Sequence, residues 1–370
     1  MSGPAAAGLN AAFLLSGVVA VILGPLIPQA NERWGLPPSR VGLLFLSQFI
    51  ASSAGSVVAS RRPRRSVVLG YALIGAGLLA VATGSFPAAF AGMGLVGLGL
   101  GLSIPATNVI VARRHPLARG AALSRLNLMW GLGAVTSPLL FMALPPRLRV
   151  TGVLLPLAAA AGTAAFLLAR ALPAQEPPPS TAAAGDAAGR ASGVPLALAA
   201  AQLFLVVGIE SALGGWMVAA YPEHGPLPPL VVGGAFWAAF ILSRGLTPAL
   251  LRPLSEGTLQ ALALAAAAAG VALVLLAASP GVIALGALLA GLGMGPVFPL
   301  VVSSLTALVD QSRFRHAGAV FAVGGLGGAA LPWLVGRLGE SLGALRLGFA
   351  VPLGAILAMG LLLGLRSATP

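Results

Sequence analysis

The sequence predicts an all-α membrane protein, with twelve transmembrane helices arranged as two pseudo-symmetric six-helix bundles. Three observations predict it: composition, the spacing of apolar runs, and a repeat between the two halves of the chain. Hydrophobic residues make up 58 % of the 370 residues and charged residues 8 %, with a mean hydropathy of +0.98. A water-soluble domain carries about 25 % charged residues. So few charges cannot cover a water-facing surface, and the high hydrophobicity excludes disorder. The 50 Gly and 30 Pro sit largely inside apolar runs, where both residues are common in transmembrane helices.

A helix needs about 20 apolar residues to cross the bilayer. Twelve such runs occur, at 8–30, 39–60, 66–84, 88–112, 119–144, 150–172, 195–221, 228–250, 256–278, 281–308, 314–338 and 342–365. The first has no cleavage motif and is expected to be retained as a helix. Residues 173–194 (PAQEPPPSTAAAGDAAGRASGV), rich in Pro, Ala and Gly, read as a linker between a bundle over 1–172 and one over 195–370.

The 21 basic residues are all Arg, and they alternate sides. Fourteen fall on one side: Arg61, Arg62, Arg64, Arg65, Arg113, Arg114, Arg119, Arg170, Arg190, Arg244, Arg252, Arg313, Arg315 and Arg366. Six fall on the other: Arg33, Arg40, Arg147, Arg149, Arg337 and Arg346, with Arg125 inside a run. The positive-inside rule places the richer side, both termini and the linker in the cytoplasm. The net charge of +13 is thus explained by membrane orientation rather than by a nucleic-acid surface.

The halves repeat. Gly97, Gly99, Gly101 and Pro105 recur 194 residues later as Gly291, Gly293, Gly295 and Pro299. Gly131, Leu132, Gly133 and Pro138 recur at the same offset as Gly325, Leu326, Gly327 and Pro332. Earlier in each half the offset is 191, pairing Gly17 with Gly208, Phe45 with Phe236, Phe49 with Phe240 and Arg61 with Arg252. An even number of helices per unit gives a parallel repeat about an axis along the membrane normal.

The fourth and fifth runs read IPATNVIVARRHPLARGAALSRLNL. With the seventh run, VVGIESALGGWMVAAY, they resemble the major facilitator superfamily, and within it the fucose/glucose-type sugar symporters. The pentapeptide Ser124, Arg125, Leu126, Asn127, Leu128 matches that family's S-R-L-N-L. Glu210 falls on its seventh-helix glutamate, Trp237 with Ser243-Arg244 on its W and G-R, and Phe298-Pro299 on its F-P. The resemblance implies the major facilitator fold, a sugar substrate, H+ or Na+ as coupling ion, and a monomer. Gly24, Ile104 and Met294 stand where the family carries polar or acidic residues, and the loop GSVVASRRPRR lacks the superfamily's Asp.

Glu210 is the only acid deep in any run, about 15–20 Å from the cytoplasmic end of its helix. An ionisable residue at that depth is costly and is a functional candidate by default. It is the candidate for ion coupling and for substrate binding. Asn127, two-sided in hydrogen bonding, and Gln48, near mid-depth, suit a hydroxylated ligand. Trp130, Trp237 and Trp216 can stack on a sugar face or a drug, or belong to the interfacial aromatic belt. Arg125, Asn108 and Arg244 are expected in gating or structural polar roles. The Gly ladders follow the small-xxx-small packing rule, and Pro105 and Pro299 are expected to kink their helices. Arg61–Arg65, Arg113–Arg119 and Asp310–Arg315 are candidate charge latches, and topology alone explains the arginines equally well.

These readings lead to an alternating-access transporter in an inner membrane, a symporter of a small neutral solute, first of all a sugar. The alternative is an exporter of amphipathic or drug-like compounds, favoured by Gly24, Ile104 and Met294. A non-transporting sensor or complex subunit stays open. An enzyme is not expected, since no nucleophile–base pair occurs. Nor is a metal or cofactor, because Cys is absent and His115, His224 and His316 are scattered. The expected partners are a small-molecule substrate and the bilayer, and no nucleic acid.

Overall fold

The computed structural model describes residues 4–115, 119–173, 193–221, 225–308 and 317–368. Within them every regular element is helical. Helices α1 (Pro4–Ala20) and α2 (Leu23–Trp34) occupy the first apolar run. α3 (Pro38–Ala59), α4 (Pro63–Ala82), α5 (Phe86–Arg114), α6 (Arg119–Met142) and α7 (Arg149–Ala171) take the next five. α8 (Gly193–Ala220), α9 (Pro229–Leu250) and α10 (Glu256–Leu276) follow. α11 (Pro280–Met294) and α12 (Val297–Leu308) share the tenth run, and α13 (Ala317–Ser341) and α14 (Ala350–Ala368) complete the chain. Among the described residues nine spans are long and apolar enough to cross a membrane, or ten with α1 and α2 joined across their 42° bend. α6 and α13 are not among them, the apolar run of α6 being diluted by Ser124, Arg125 and Asn127. Residues 174–192 of the linker and the Asp310–Arg315 latch lie outside the described residues, and Gly193 and Val194 already belong to α8.

The helices start where backbone donors can be spared. α4, α5, α9 and α11 carry Pro in the first turn, where an N–H would have no helical partner. Ser85 and Ser255 cap α5 and α10 by accepting from the N–H groups of Ala88 and Thr258. At the far end of α7, Arg64 donates to the carbonyls of Ala169 and Leu172, which have no continuing turn to bond to.

The chain divides into two compact units, Met1–Trp34 with Leu46–Ala184 and Gly35–Phe45 with Gly185–Pro370. The first unit is held by glycine-mediated approaches. Gly77 of α4 and Gly92 of α5 each face the other's carbonyl too closely to admit a side chain. Gly97 and Gly101 of α5 lie against the carbonyls of Gln48 and Ser52 on α3, and Gly133 of α6 lies against that of Leu14 on α1. Tyr71 is buried and shares a 2.8 Å hydrogen bond with Ser16.

The second unit repeats these approaches. Gly270 of α10 and Gly286 of α11 face each other as Gly77 and Gly92 do. Gly291 and Gly295 meet the carbonyls of Phe236 and Phe240, and Gly327 meets that of Phe204. The sequence repeat therefore reflects matched helix packing inside each unit. One register differs. The sequence pairs Phe45 and Phe49 with Phe236 and Phe240, whereas the packing pairs Gln48 and Ser52 with them, three residues later on α3. A shift of nearly one turn keeps a residue on the same helix face, so the pattern alone does not fix it. Gly35–Phe45 groups with this unit through close approaches of Gly42 to Trp333 and of Gly336 to Pro38. Nearby, the Ser39 N–H donates to Glu340 Oε2 at 3.2 Å.

Candidate functional site

Each unit contains one run split into two helices, and in each the split frees a backbone carbonyl. In the second unit the cause is Pro299. In a continuous helix the Gly295 carbonyl would accept from the N–H four residues on, but that residue is a proline. α11 ends at Met294 and α12 begins at Val297, leaving the Gly295 oxygen without a helical donor. Arg244 of α9 supplies the replacement, its Nε donating to Gly295 O at 2.9 Å. Irregular backbone at membrane depth persists where a side chain re-satisfies it in this way.

The same guanidinium makes two further interactions. Its Nη2 donates to Glu210 Oε1 at 2.7 Å, a charge-assisted bond between α8 and α9. Its Cζ lies 4.2 Å from the ring centre of Phe240 and 5.6 Å from that of Phe298. Aromatic faces attract a cation, more strongly when water is excluded. Glu210 lies near the middle of the apolar span Ala197–Ala220. The two side chains are 15 % (Glu210) and 24 % (Arg244) exposed, so the pair is largely buried yet partly open. Two paired charges cost far less in an apolar span than either would alone.

Trp237 belongs to the same wall. Its ring stands edge-on to Phe240 at 5.2 Å and to Phe236 at 5.3 Å, and the bare Gly214 gives it room. The structure thus assembles Glu210, Arg244 and Trp237, three of the residues the sequence singled out. Arg244 requires a correction. It is not a loop arginine: it sits inside α9, because Leu246 to Leu250 continue the helix beyond it. Removing it from the cytoplasmic count leaves thirteen against six, and the charge bias survives.

Trp216 is placed differently. Its ring is fully buried, its Nε1 donates to Pro332 O at 2.7 Å, and it packs 5.9 Å from Phe45.

In the first unit the split falls between α1 and α2. Gly24 N–H bonds to Val21 O instead of Ala20 O, which frees the Ala20 oxygen. Gln48 Nε2 donates to it at 3.2 Å. Gln48 is 2 % exposed, and its Oε1 has no partner among the described residues. Asn127 and Asn108 both donate back to their own helices, at Leu123 O and Ile104 O, each at 3.0 Å. Arg125 and Asn127 are exposed on α6, and Trp130 is half-buried with its backbone against Gly17. No group of three or more His, Cys, Asp or Glu among the described residues is placed to hold a metal ion.

The sequence missed the Gly295 carbonyl as a partner. The signal was present in the G-P-x-x-P spacing of Gly295, Pro296 and Pro299, which removes a helical donor at a fixed offset.

The family model described as Major Facilitator Superfamily matches residues 9–329. Among curated proteins none matches this sequence. Solved structures resemble it over nearly their whole length. A Major Facilitator Superfamily transporter, FucP, in the outward conformation is 15 % identical with a TM-score of 0.68, covering 98 % of both chains. A D-xylose-proton symporter is 14 % identical with a TM-score of 0.76, over 97 % of this chain and 96 % of that one. The human organic anion transporter MFSD10 is 20 % identical with a TM-score of 0.67, over 98 % of this chain and 100 % of that one. At these identities the likeness is one of fold.

Proposed function

We propose that this chain, which belongs to the Major Facilitator Superfamily, carries a small solute that is neutral overall, a sugar or a close relative, by ion-coupled symport. That it is a multi-pass membrane transporter and not an enzyme follows from the family. The solute, the coupling ion, the inner-membrane location with cytoplasmic termini, and a monomeric state belong to the proposal.

One observation carries it: an acid near the middle of an apolar span, paired with an arginine and partly open. A purely structural polar contact at that depth does not need two ionisable groups, each expensive to bury. A group that gains and loses a positive partner as an ion binds provides the two charge states that coupling requires. Trp237 and Phe240 are buried beside the pair and pack edge to face, giving it an apolar backing. The fold likeness to two sugar carriers, the E. coli fucose:proton symporter and a D-xylose-proton symporter, supports the same reading.

Thermal unfolding of the purified protein, with hexoses, pentoses and amphipathic drugs, tests it. A ligand that binds only the folded state raises the unfolding temperature by mass action. A sugar is expected to do so, with the shift reduced in Glu210→Gln. Stabilisation by drugs alone would overturn the sugar reading.

A further inference from the structure

We propose that the solute bears a carboxylate, which binds the Nη1–Nη2 edge of Arg244 in place of Glu210 while Glu210 takes up the coupling proton. This rests on the transporter reading of the same site and refines its solute: the neutral cargo is an anion plus a proton.

The geometry of the guanidinium points there. A planar guanidinium offers two edges to a carboxylate, one through Nε and one nitrogen, the other through Nη1 and Nη2. The first edge is committed, because Nε is tied to the Gly295 carbonyl that Pro299 leaves open. One face of the guanidinium rests on the Phe240 ring, with Cζ 4.2 Å from its centre. Of the second edge, Nη2, which both edges share, is engaged, and Nη1 is not. Glu210 takes Nη2 through one oxygen, and Nη1 has no partner among the described residues. Arg244 is thus held through Nε and its apolar face, with Nη2 on Glu210, Nη1 uncommitted and the side chain 24 % exposed. A resident carboxylate bound through one oxygen is exchangeable for a visiting one bound through two.

The exchange fixes the proton's place. With the solute carboxylate on Arg244 and Glu210 still ionised, two negative charges would share one positive charge inside an apolar span, which the medium does not tolerate. One proton from solution on Glu210 restores neutrality, and its O–H then donates to the visitor or to a backbone carbonyl. Anion and proton therefore promote each other's binding, which is the linkage a symporter needs.

Among the described residues of the second unit, the helices packed against the pair bring no other charged group to it. Glu210 and Arg244 are the only charged residues of α8 and α9, and α11 and α12 have none. On α13, Arg337 and Glu340 lie in the last turns, where Glu340 accepts from Ser39 N–H. Arg346, in the turn before α14, donates to Ala277 O. α14 carries no charge before Arg366.

The test uses the full-length protein in weakly buffered detergent solution, with gluconate, lactate and benzoate as probes and glucose as the uncharged counterpart of gluconate. Thermal shift reads binding, and a pH electrode reads proton exchange. The expected result is stabilisation by at least one carboxylate, with uptake of about one proton per ligand bound and alkalinisation of the medium. Glu210→Gln, a mimic of the protonated acid, should bind that carboxylate at least as tightly with no proton uptake. Arg244→Lys keeps the charge and the fold but loses the planar edge, and should weaken binding about tenfold or more. If Glu210→Gln abolishes carboxylate binding, or if wild type binds without proton uptake, the inference falls. If glucose stabilises and no carboxylate does, the inference falls and the sugar symporter stands. If no probe shifts the protein, both fall.

Discussion

Glu210 and Arg244 divide their work unequally. Arg244 is anchored by three partners: a backbone carbonyl, an aromatic face and the carboxylate. Glu210 is recorded with one, Arg244 itself. Glu210→Ala should therefore leave a buried, uncompensated cation and cost about 3–5 kcal/mol of stability. Replacing both by Gln removes both charges and should recover most of that loss, which chemical or thermal unfolding of the single and double variants will read as a large coupling energy. Gln48 makes a smaller case of the same kind. Gln48→Leu leaves the Ala20 carbonyl without its donor, and should cost about 1–3 kcal/mol. At this scale the sequence was half legible. A lone acid in an apolar run announces itself. Its partner did not, because Arg244 lies 34 residues away on the next helix, and near a helix end an arginine reads as a loop charge. Asn127 and Asn108, polar enough to attract notice, each donate an amide N–H to the preceding turn of their own helix.

The two breaks matter most among the elements. The sequence marked Pro105 and Pro299 alike as kinks. α5 runs through Pro105 without interruption from Phe86 to Arg114, whereas α11 stops five residues before Pro299. The difference lies in what surrounds them. Pro299 follows Gly295-Pro296, so two prolines within four residues remove two donors, and Arg244 is at hand to take the freed carbonyl. Pro105 follows Ser103-Ile104 and removes one. Pro299→Ala returns an N–H to Gly295 O. It should extend helical pairing across the break, hold or raise the unfolding temperature, and slow transport about tenfold or more, because Nε of Arg244 loses its acceptor. Unaltered transport in that variant would show that the break does not position the arginine. The helices themselves were legible from apolar run length. Their register was not, as the three-residue offset between α3 and α9 shows, since helical periodicity repeats after nearly every turn.

For the whole molecule, the repeat was legible because close helix approach demands glycine, and glycine is visible in sequence. Gly327→Ala would drive a methyl group into the Phe204 carbonyl and should destabilise the protein by about 1–3 kcal/mol. Gly360→Ala, with nothing near its Cβ position, is the control and should be neutral or slightly stabilising. Solute identity was not legible, because recognition depends on which edges of side chains stay open once the backbone is satisfied. The most direct test of the central claim, that Glu210 couples solute movement to an ion, is transport in sealed proteoliposomes of the carboxylate or sugar that binds the purified protein. Either a proton or a sodium gradient should drive accumulation in wild type. Glu210→Gln should lose that accumulation yet still exchange labelled for unlabelled solute, since exchange needs no net ion movement. Gradient-driven accumulation in Glu210→Gln equal to wild type would contradict the account.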